Sequence, residues 1–243
     1  MRTWHHAEQG AVCDVLKPWA HGTILHATRY PNYFAYNLVR VERDPGMSVE
    51  EMVSFANDAL AGYAHRRIDV EDIAAAELLR PGLETRGWKT IRLLWMRHEA
   101  SPPGPEVLVE EVSYDPVNDL RVAWHQEENP SDQDAGEYHQ QERDVALRRG
   151  VQVLAVRSAG EPVAVAQLAR NGREAEITEV YVDRRHRGAG LGTAAVVGLA
   201  VGVVGSSLGG PSRERLPIGV EPRGGQGQLA SVRVEHRSRG AGG

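Results

Sequence analysis

Residues 177–195, ITEVYVDRRHRGAGLGTAA, decide how this chain folds. The first part, with β-branched Ile177, Thr178, Val180 and Val182, reads as a strand. The last part, Leu191, Thr193, Ala194 and Ala195, opens a helix of small residues. Between them stand Arg184, Arg185 and Arg187, then Gly188, Gly190 and Gly192. Glycines at such a junction let backbone N–H groups point at an anion without Cβ obstruction, and the helix adds the positive end of its dipole. The stretch therefore predicts a phosphate-holding turn formed by Arg187, Gly188, Ala189, Gly190, Leu191, Gly192 and Thr193.

Rival phosphate motifs fit less well. A P-loop needs Gly-Lys-Ser/Thr, but the only lysines, Lys17 and Lys89, are far upstream. A dinucleotide fingerprint needs a third glycine where Thr193 stands. A plain solvated turn would not need a strand before it and a helix after it. In that setting Arg185-His186-Arg187-Gly188-Ala189-Gly190 resembles the acyl-CoA-binding signature of the GNAT family of N-acetyltransferases, Gln/Arg-x-x-Gly-x-Gly/Ala.

The chain has 243 residues, 41% of them hydrophobic, enough for one large or two small cores. A net charge of −5 argues against general nucleic-acid binding. Cys13 is the one cysteine, so no intramolecular disulfide is possible and a cytoplasmic protein is expected. The start, MRTWHHAEQG, lacks the apolar run of a signal peptide. His5, His6, His21 and His26 lack a helical pair beside a carboxylate, so solvated or packing histidines are expected and no metal site. Leu191 to Gly210 carries no charge and holds a G-x-x-x-G at Gly198 and Gly202, the pattern of a C-terminal membrane anchor. Its richness in glycine and poverty in large apolar residues make that the lesser reading, and no membrane partner is expected.

The first half reads as an α/β unit over residues 23–100. Tyr33–Val41 is strand-like, Ser48 and Glu51 form a capping box, and Met52, Phe55, Ala56, Ala59, Leu60 and Tyr63 recur at helical spacing. His65–Val70 reads as a strand, Asp72 caps a helix through Leu79 that Pro81-Gly82 interrupts, and Lys89–His98 is a strand. The linker is Ser101-Pro102-Pro103-Gly104-Pro105. Beyond it come a strand (Val107–Val112), helices over Asp115–Glu127 and Glu137–Arg149, a hairpin of Val151–Arg157 and Pro162–Leu168, and the strand Glu174–Val182. That order over 106–200 strengthens the GNAT resemblance, and residues 23–98 resemble more weakly the degenerate first half of tandem GNAT proteins. The fold class is α/β, of the α+β kind: a GNAT-like mixed sheet flanked by helices, preceded by a smaller α/β domain. Residues 201–243 hold no aromatic residue and are rich in Gly, Arg, Ser and Pro, so a largely disordered tail is expected. The abrupt change, in a chain with two lysines among 28 basic residues, suggests a frameshifted or truncated C terminus, with an authentic disordered tail as the alternative.

The resemblance implies acetyl-CoA as acyl donor and the primary amine of a small molecule or peptide as acceptor. It places the pantetheine arm along Val180, Tyr181 and Val182, with one of their N–H groups as oxyanion donor. Strict alternation puts Ile177, Glu179 and Tyr181 on one face, making Glu179 the candidate base, with an ion pair to an arginine as its plain alternative. Tyr181 is expected to pack. The resemblance also implies a further strand, helix and strand pair over residues 201–243 to complete the sheet, with a tyrosine in that helix serving the leaving thiolate. This sequence has neither, so a non-catalytic CoA-binding protein is the second reading.

Overall fold

The computed structural model describes residues 2–95, 108–128, 136–171, 174–206 and 229–237. In chain order the elements are α1 (Arg2–Val12), β1 (Val15–Trp19), β2 (Gly22–His26), β3 (Leu38–Val41), α2 (Val49–Ala59), β4 (His65–Val70), α3 (Ile73–Thr85) and β5 (Lys89–Trp95). Then follow β6 (Glu110–Val112), α4 (Asn118–Glu128), α5 (Gly136–Arg148), β7 (Gln152–Ser158), β8 (Glu161–Asn171), β9 (Glu174–Val182), α6 (Leu191–Ser206) and β10 (Leu229–Arg237). They divide into two units, Met1–Arg97 with Arg223–Gly243, and His98–Pro222.

In the first unit local chemistry sets the helices. Ser48 Oγ accepts the Glu51 N–H at 3.2 Å while the Ser48 N–H donates to the Glu51 carboxylate at 2.8 Å, so α2 starts with a closed capping box. Asp72 caps α3 by accepting the Ala75 N–H at 3.0 Å. Contrary to expectation, α3 runs through Pro81 and Gly82 to Thr85. Gly82 is there for contact: a Cβ would lie 2.6 Å from Val49 Cγ2, so the glycine lets α2 and α3 approach. The terminator is Gly87, at φ +79°, with Trp88 N–H closing onto Leu83 C=O at 3.0 Å. The strand expected over Tyr33–Val41 begins only at Leu38, after a 3₁₀ turn at Phe34–Tyr36. The helix α1 and the β1–β2 hairpin precede or straddle the expected start at residue 23.

The first sheet has the order β1-β2-β3-β4-β10-β5, antiparallel throughout except that β3 and β4 run parallel. Helices α2 and α3 close its core through Met52, Ala56, Leu60, Ala75, Ala76, Leu79 and Leu83 against Val39, Val41, Ile68 and Val70. The described part of the tail takes a place that composition did not foresee. Residue Val232 of β10 stands opposite Val70 on one side and Arg92 on the other, so this strand bridges β4 and β5. The Ser101–Pro105 linker and the end of the Lys89–His98 strand lie outside the described residues.

The second unit is an antiparallel sheet, β6-β7-β8-β9. Residues Val153, Ala155 and Val165 meet Val117 and Leu120 on one face, whereas Ala164, Ala166 and Leu168 meet Ala195 and Leu191 of α6 on the other. Of the strand expected over Val107–Val112, Val107 lies outside the described residues and, among those described, the strand covers Glu110–Val112. Gly198 packs closely within this unit, since a Cβ there would lie 2.9 Å from Val109 Cβ. Among the described residues no helix is long and apolar enough to cross a membrane.

Deleting Leu229–Arg237 leaves β4 and β5 without their common neighbour. Amide exchange in β4 and β5 should then rise on the order of a hundredfold while β7 and β8 keep their protection. Unchanged exchange in β4 and β5 would contradict the placement of β10.

Candidate functional site

Strand β9 does not alternate as a regular strand. Val165 faces Tyr181 and Gln167 faces Thr178, so Ala166 alone spans Glu179 and Val180, a β-bulge. Glu179 sits there at φ +54°, a left-handed conformation that costs a non-glycine residue roughly 1–3 kcal/mol. The bulge corrects the expected facing. Ile177 and Val182 pack with the α6 cluster, while Tyr181 is buried in the α4 cluster, so Ile177 and Tyr181 lie on opposite faces. Glu179 still shares the α4 side with Tyr181, because its carboxylate accepts from Arg121 of α4 at 3.1 Å.

Past the bulge, Asp183 ends the strand by donating its N–H to Val163 C=O at 2.9 Å. Its carboxylate accepts the Arg185 N–H and guanidinium, both at 2.8 Å, and these hydrogen bonds hold it far below the usual carboxylate range. Arg185 thus folds back, and Arg184 stays largely exposed. The chain then turns through Gly188 at φ +83° and Gly190 at φ +73°, with nothing within 4 Å of a Cβ built on either. Two left-handed residues over open space need glycine and leave their backbone accessible. The Ala194 N–H closes onto Gly190 C=O at 2.9 Å, so the N–H groups of Leu191, Gly192 and Thr193 stand ahead of that first helical bond. Gly192 also brings α6 onto the strand end, its Cβ position being 3.3 Å from Val182 Cγ2. These features fit an anionic phosphate group.

Beside the turn lies a cleft of about 540 Å³ lined by Trp124, Glu127, Val180, Tyr181, Val182 and Arg187. Arg187 is the arginine of the motif that faces it. It donates to both oxygens of Glu127, at 2.8 and 2.7 Å, and through Nε to Val182 C=O at 3.0 Å. Its guanidinium carbon lies 5.4 Å from the centre of the Tyr181 ring. Tyr181 packs as expected, stacked on Trp124 at 5.7 Å, with its hydroxyl donating to Glu127 at 3.1 Å. The Arg187 hydrogen bonds hold the Glu127 carboxyl below its ordinary range, and burial with the Glu127 bond pushes the Tyr181 hydroxyl up.

Behind Glu179 is a buried ionic cluster that the sequence did not disclose. Arg121 is 2% exposed and ion-pairs with Glu142 of α5, 7% exposed, as well as with Glu179, 33% exposed. Glu142 also accepts from Tyr114 Oη at 3.3 Å and contacts His139 Nδ1 at 3.1 Å. Arg121 Nη1 and His139 Nε2 are buried without a hydrogen-bond partner. Arg121 and Glu142 sit on different helices, so no local spacing couples them; the one readable signal is the i, i+3 pair His139 and Glu142. Among the described residues no cluster of three or more His, Cys, Asp or Glu side chains is placed to hold a metal.

Comparison with known proteins follows this geometry. Residues 115–200 match the model of the acetyltransferase (GNAT) family, and this segment is a GNAT domain. No curated protein matches in sequence. Among solved structures, a functionally unknown conserved protein from Staphylococcus epidermidis is 10% identical, covering 93% of this chain and 95% of its own, at a TM-score of 0.59. That likeness shows a shared fold. A GCN5-related N-acetyltransferase from Kribbella flavida is 16% identical over 98% of this chain and 96% of its own, at 0.48. An aminoglycoside 6'-N-acetyltransferase complexed with coenzyme A is 19% identical over 42% of this chain and 57% of its own, at 0.33.

Burial pushes the Glu142 carboxyl up, but Arg121 and the His139 bond outweigh it and hold the group below its ordinary value of 4.5. A depressed carboxyl contributes stability that is fully present above its unfolded value and is lost as pH falls through its folded value. The second unit should therefore weaken below about pH 4.5. In a Glu142→Gln variant, measured by urea unfolding, the stability difference from wild type should shrink as pH is lowered from 7 to about 3.

Proposed function

We propose that the second unit transfers an acetyl group from acetyl-CoA to the primary amine of a small molecule or peptide. The observation that carries this reading is the succession of the β9 bulge and the left-handed glycine turn on one strand-to-helix junction inside the GNAT domain. Acetyl-CoA supplies the activated acyl group. The N–H groups from Gly188 to Thr193, aided by the α6 dipole, face the pyrophosphate, and Arg187 adds its charge there. The edge of β9 at Val180, Tyr181 and Val182 offers main-chain groups to the pantetheine amides as an added strand would. A bulge N–H donates to the carbonyl oxygen where negative charge develops. Glu179 removes a proton from the acceptor ammonium, directly or through water. The freed amine attacks the thioester carbonyl, the C–S bond breaks, and CoA leaves as a thiolate that takes its proton from solvent.

Donor binding is assigned to the second unit alone. In the first unit the strand-to-helix turn after β3 carries Glu42, Arg43, Asp44 and Pro45, and β3 is zipped to β4 along Val39–Val41. A cytoplasmic setting suits the single thiol, Cys13, which is buried and pushed up to about 12 by that burial. A second reading, donor binding without transfer, draws on the Glu179–Arg121 ion pair, which gives Glu179 a structural partner.

Calorimetry with CoA tests the turn. Gly188→Val with Gly190→Val forces two β-branched residues into left-handed backbone and should weaken CoA binding on the order of a hundredfold. An unaltered affinity would remove the turn from the site. Glu179→Gln should leave CoA affinity intact and lower the acetylation rate about tenfold or more, most severely at low pH where the acceptor is ammonium. A pH–rate profile that ignores this substitution would leave Glu179 a structural role only, and tight CoA binding with no acetyl transfer by the wild type would favour the second reading.

A further inference from the structure

We infer that Arg121, anchored from behind by Glu142, is the positioning residue that fixes the Glu179 carboxylate at the bulge of β9. The inference rests on the proposed role of Glu179 and explains a feature which that role leaves open. Arg121 is almost fully buried, and one carboxylate, Glu142, already neutralises it inside the same buried layer. A second carboxylate is not needed to bury a guanidinium. Yet Glu179 reaches the same Nη2 at 3.1 Å from a strained, left-handed position, with a third of its side chain still exposed. Strain of this kind persists where the surroundings over-determine it, and it gathers at functional sites. Arg121 supplies that determination, because its Nε and Nη2 are held by Glu142 and its guanidinium is packed between two aromatic rings.

The groups facing Arg121 come from four places. Glu142 of α5 takes Nε and Nη2. Tyr114, ahead of α4, and Trp124, one turn along α4, present their rings 5.5 and 5.7 Å from the guanidinium carbon. Glu179 of β9 shares Nη2 with Glu142, accepting from it at 3.1 Å. Glu142 is itself braced by His139, whose ring lies 4.9 Å from that of His125, and by the Tyr114 hydroxyl. Trp124 also forms the cleft wall against Tyr181, so the element that orients Glu179 is the element that shapes the cleft. A guanidinium fork transmits orientation as well as charge, which an ammonium cannot do.

The test compares wild type, Arg121→Lys and the paired variant Arg121→Met/Glu142→Leu, which leaves neither partner buried alone. CoA affinity, measured by calorimetry, reports the glycine turn. The ¹³C titration of the Glu179 carboxyl, assigned by its loss in Glu179→Gln, reports the pair itself. Thiol release from acetyl-CoA without added amine, water being the acceptor, reports the base. The expected result for the paired variant is CoA affinity within about twofold of wild type, a carboxyl midpoint higher by about one pH unit, and hydrolysis kcat lower by about tenfold at a nearly constant KM. Arg121→Lys should restore the midpoint but only part of kcat. A carboxyl midpoint unchanged in the paired variant overturns the inference, as does full kcat in Arg121→Lys. If wild type fails to bind CoA, the proposed function falls, and the carboxyl titration still decides the role of Arg121.

Discussion

At one point in β9 two residues stand where β8 has one, and the site depends on that extra residue. Side-chain facing in a strand has period two, so a bulge flips everything downstream. Without it Tyr181 would turn toward α6 and Val182 toward α4. The stack of Tyr181 on Trp124, the contact of Val182 with Leu191 and Gly192, and the reach of Arg187 over the Tyr181 ring all presuppose the flip. A regular strand would aim the glycine turn elsewhere. The cost of a left-handed Glu179 is therefore offset by the packing of two faces as well as by its own ion pair with Arg121.

Electrostatics in the second unit fall into two layers of opposite character. The inner layer, Arg121 with Glu142, is shielded from water, and its attraction must outweigh a large desolvation penalty. Breaking such a pair on one side leaves a buried charge. The outer layer, Arg187 with Glu127 and Arg185 with Asp183, is solvent-screened and adds little to stability. Its effect is geometric. Glu127 and Val182 C=O hold the Arg187 guanidinium at the mouth of the cleft, against the aromatic wall, before any anion arrives.

Much of the fold was legible where chemistry is local. The capping box at Ser48 and Glu51, the strand His65–Val70, and the hairpin through Ala159 and Gly160 each depend on residues a few positions apart. The strand–turn–helix at 177–195 was legible for the same reason. What stayed hidden depends on partners distant in the chain. Nothing in Glu179 announces a left-handed residue, since glycine or asparagine would be the usual sign. Gly82 read as a helix breaker because its reason is Val49 on another helix. In the site, Arg187 and the glycines could be named from sequence, but Trp124, Glu127, Arg121 and Glu142 could not, because they enter from α4 and α5. The alternation of Val232 and Val234 with Arg233 and Glu235 is a strand signal that the glycine-rich flanks outweighed.

The position of β10 sets an order of assembly. During synthesis the strands β4 and β5 emerge long before residue 229, and pairing across the gap between them must wait for it. Loop closure over so long a separation is slow, whereas the β7–β8–β9 meander pairs neighbours in sequence. The second unit can thus be complete while the first still presents two open strand edges. Those edges are where a ribosome-bound or heat-stressed chain would pair with the wrong partner, so the interval before residue 237 is released is the period of greatest aggregation risk.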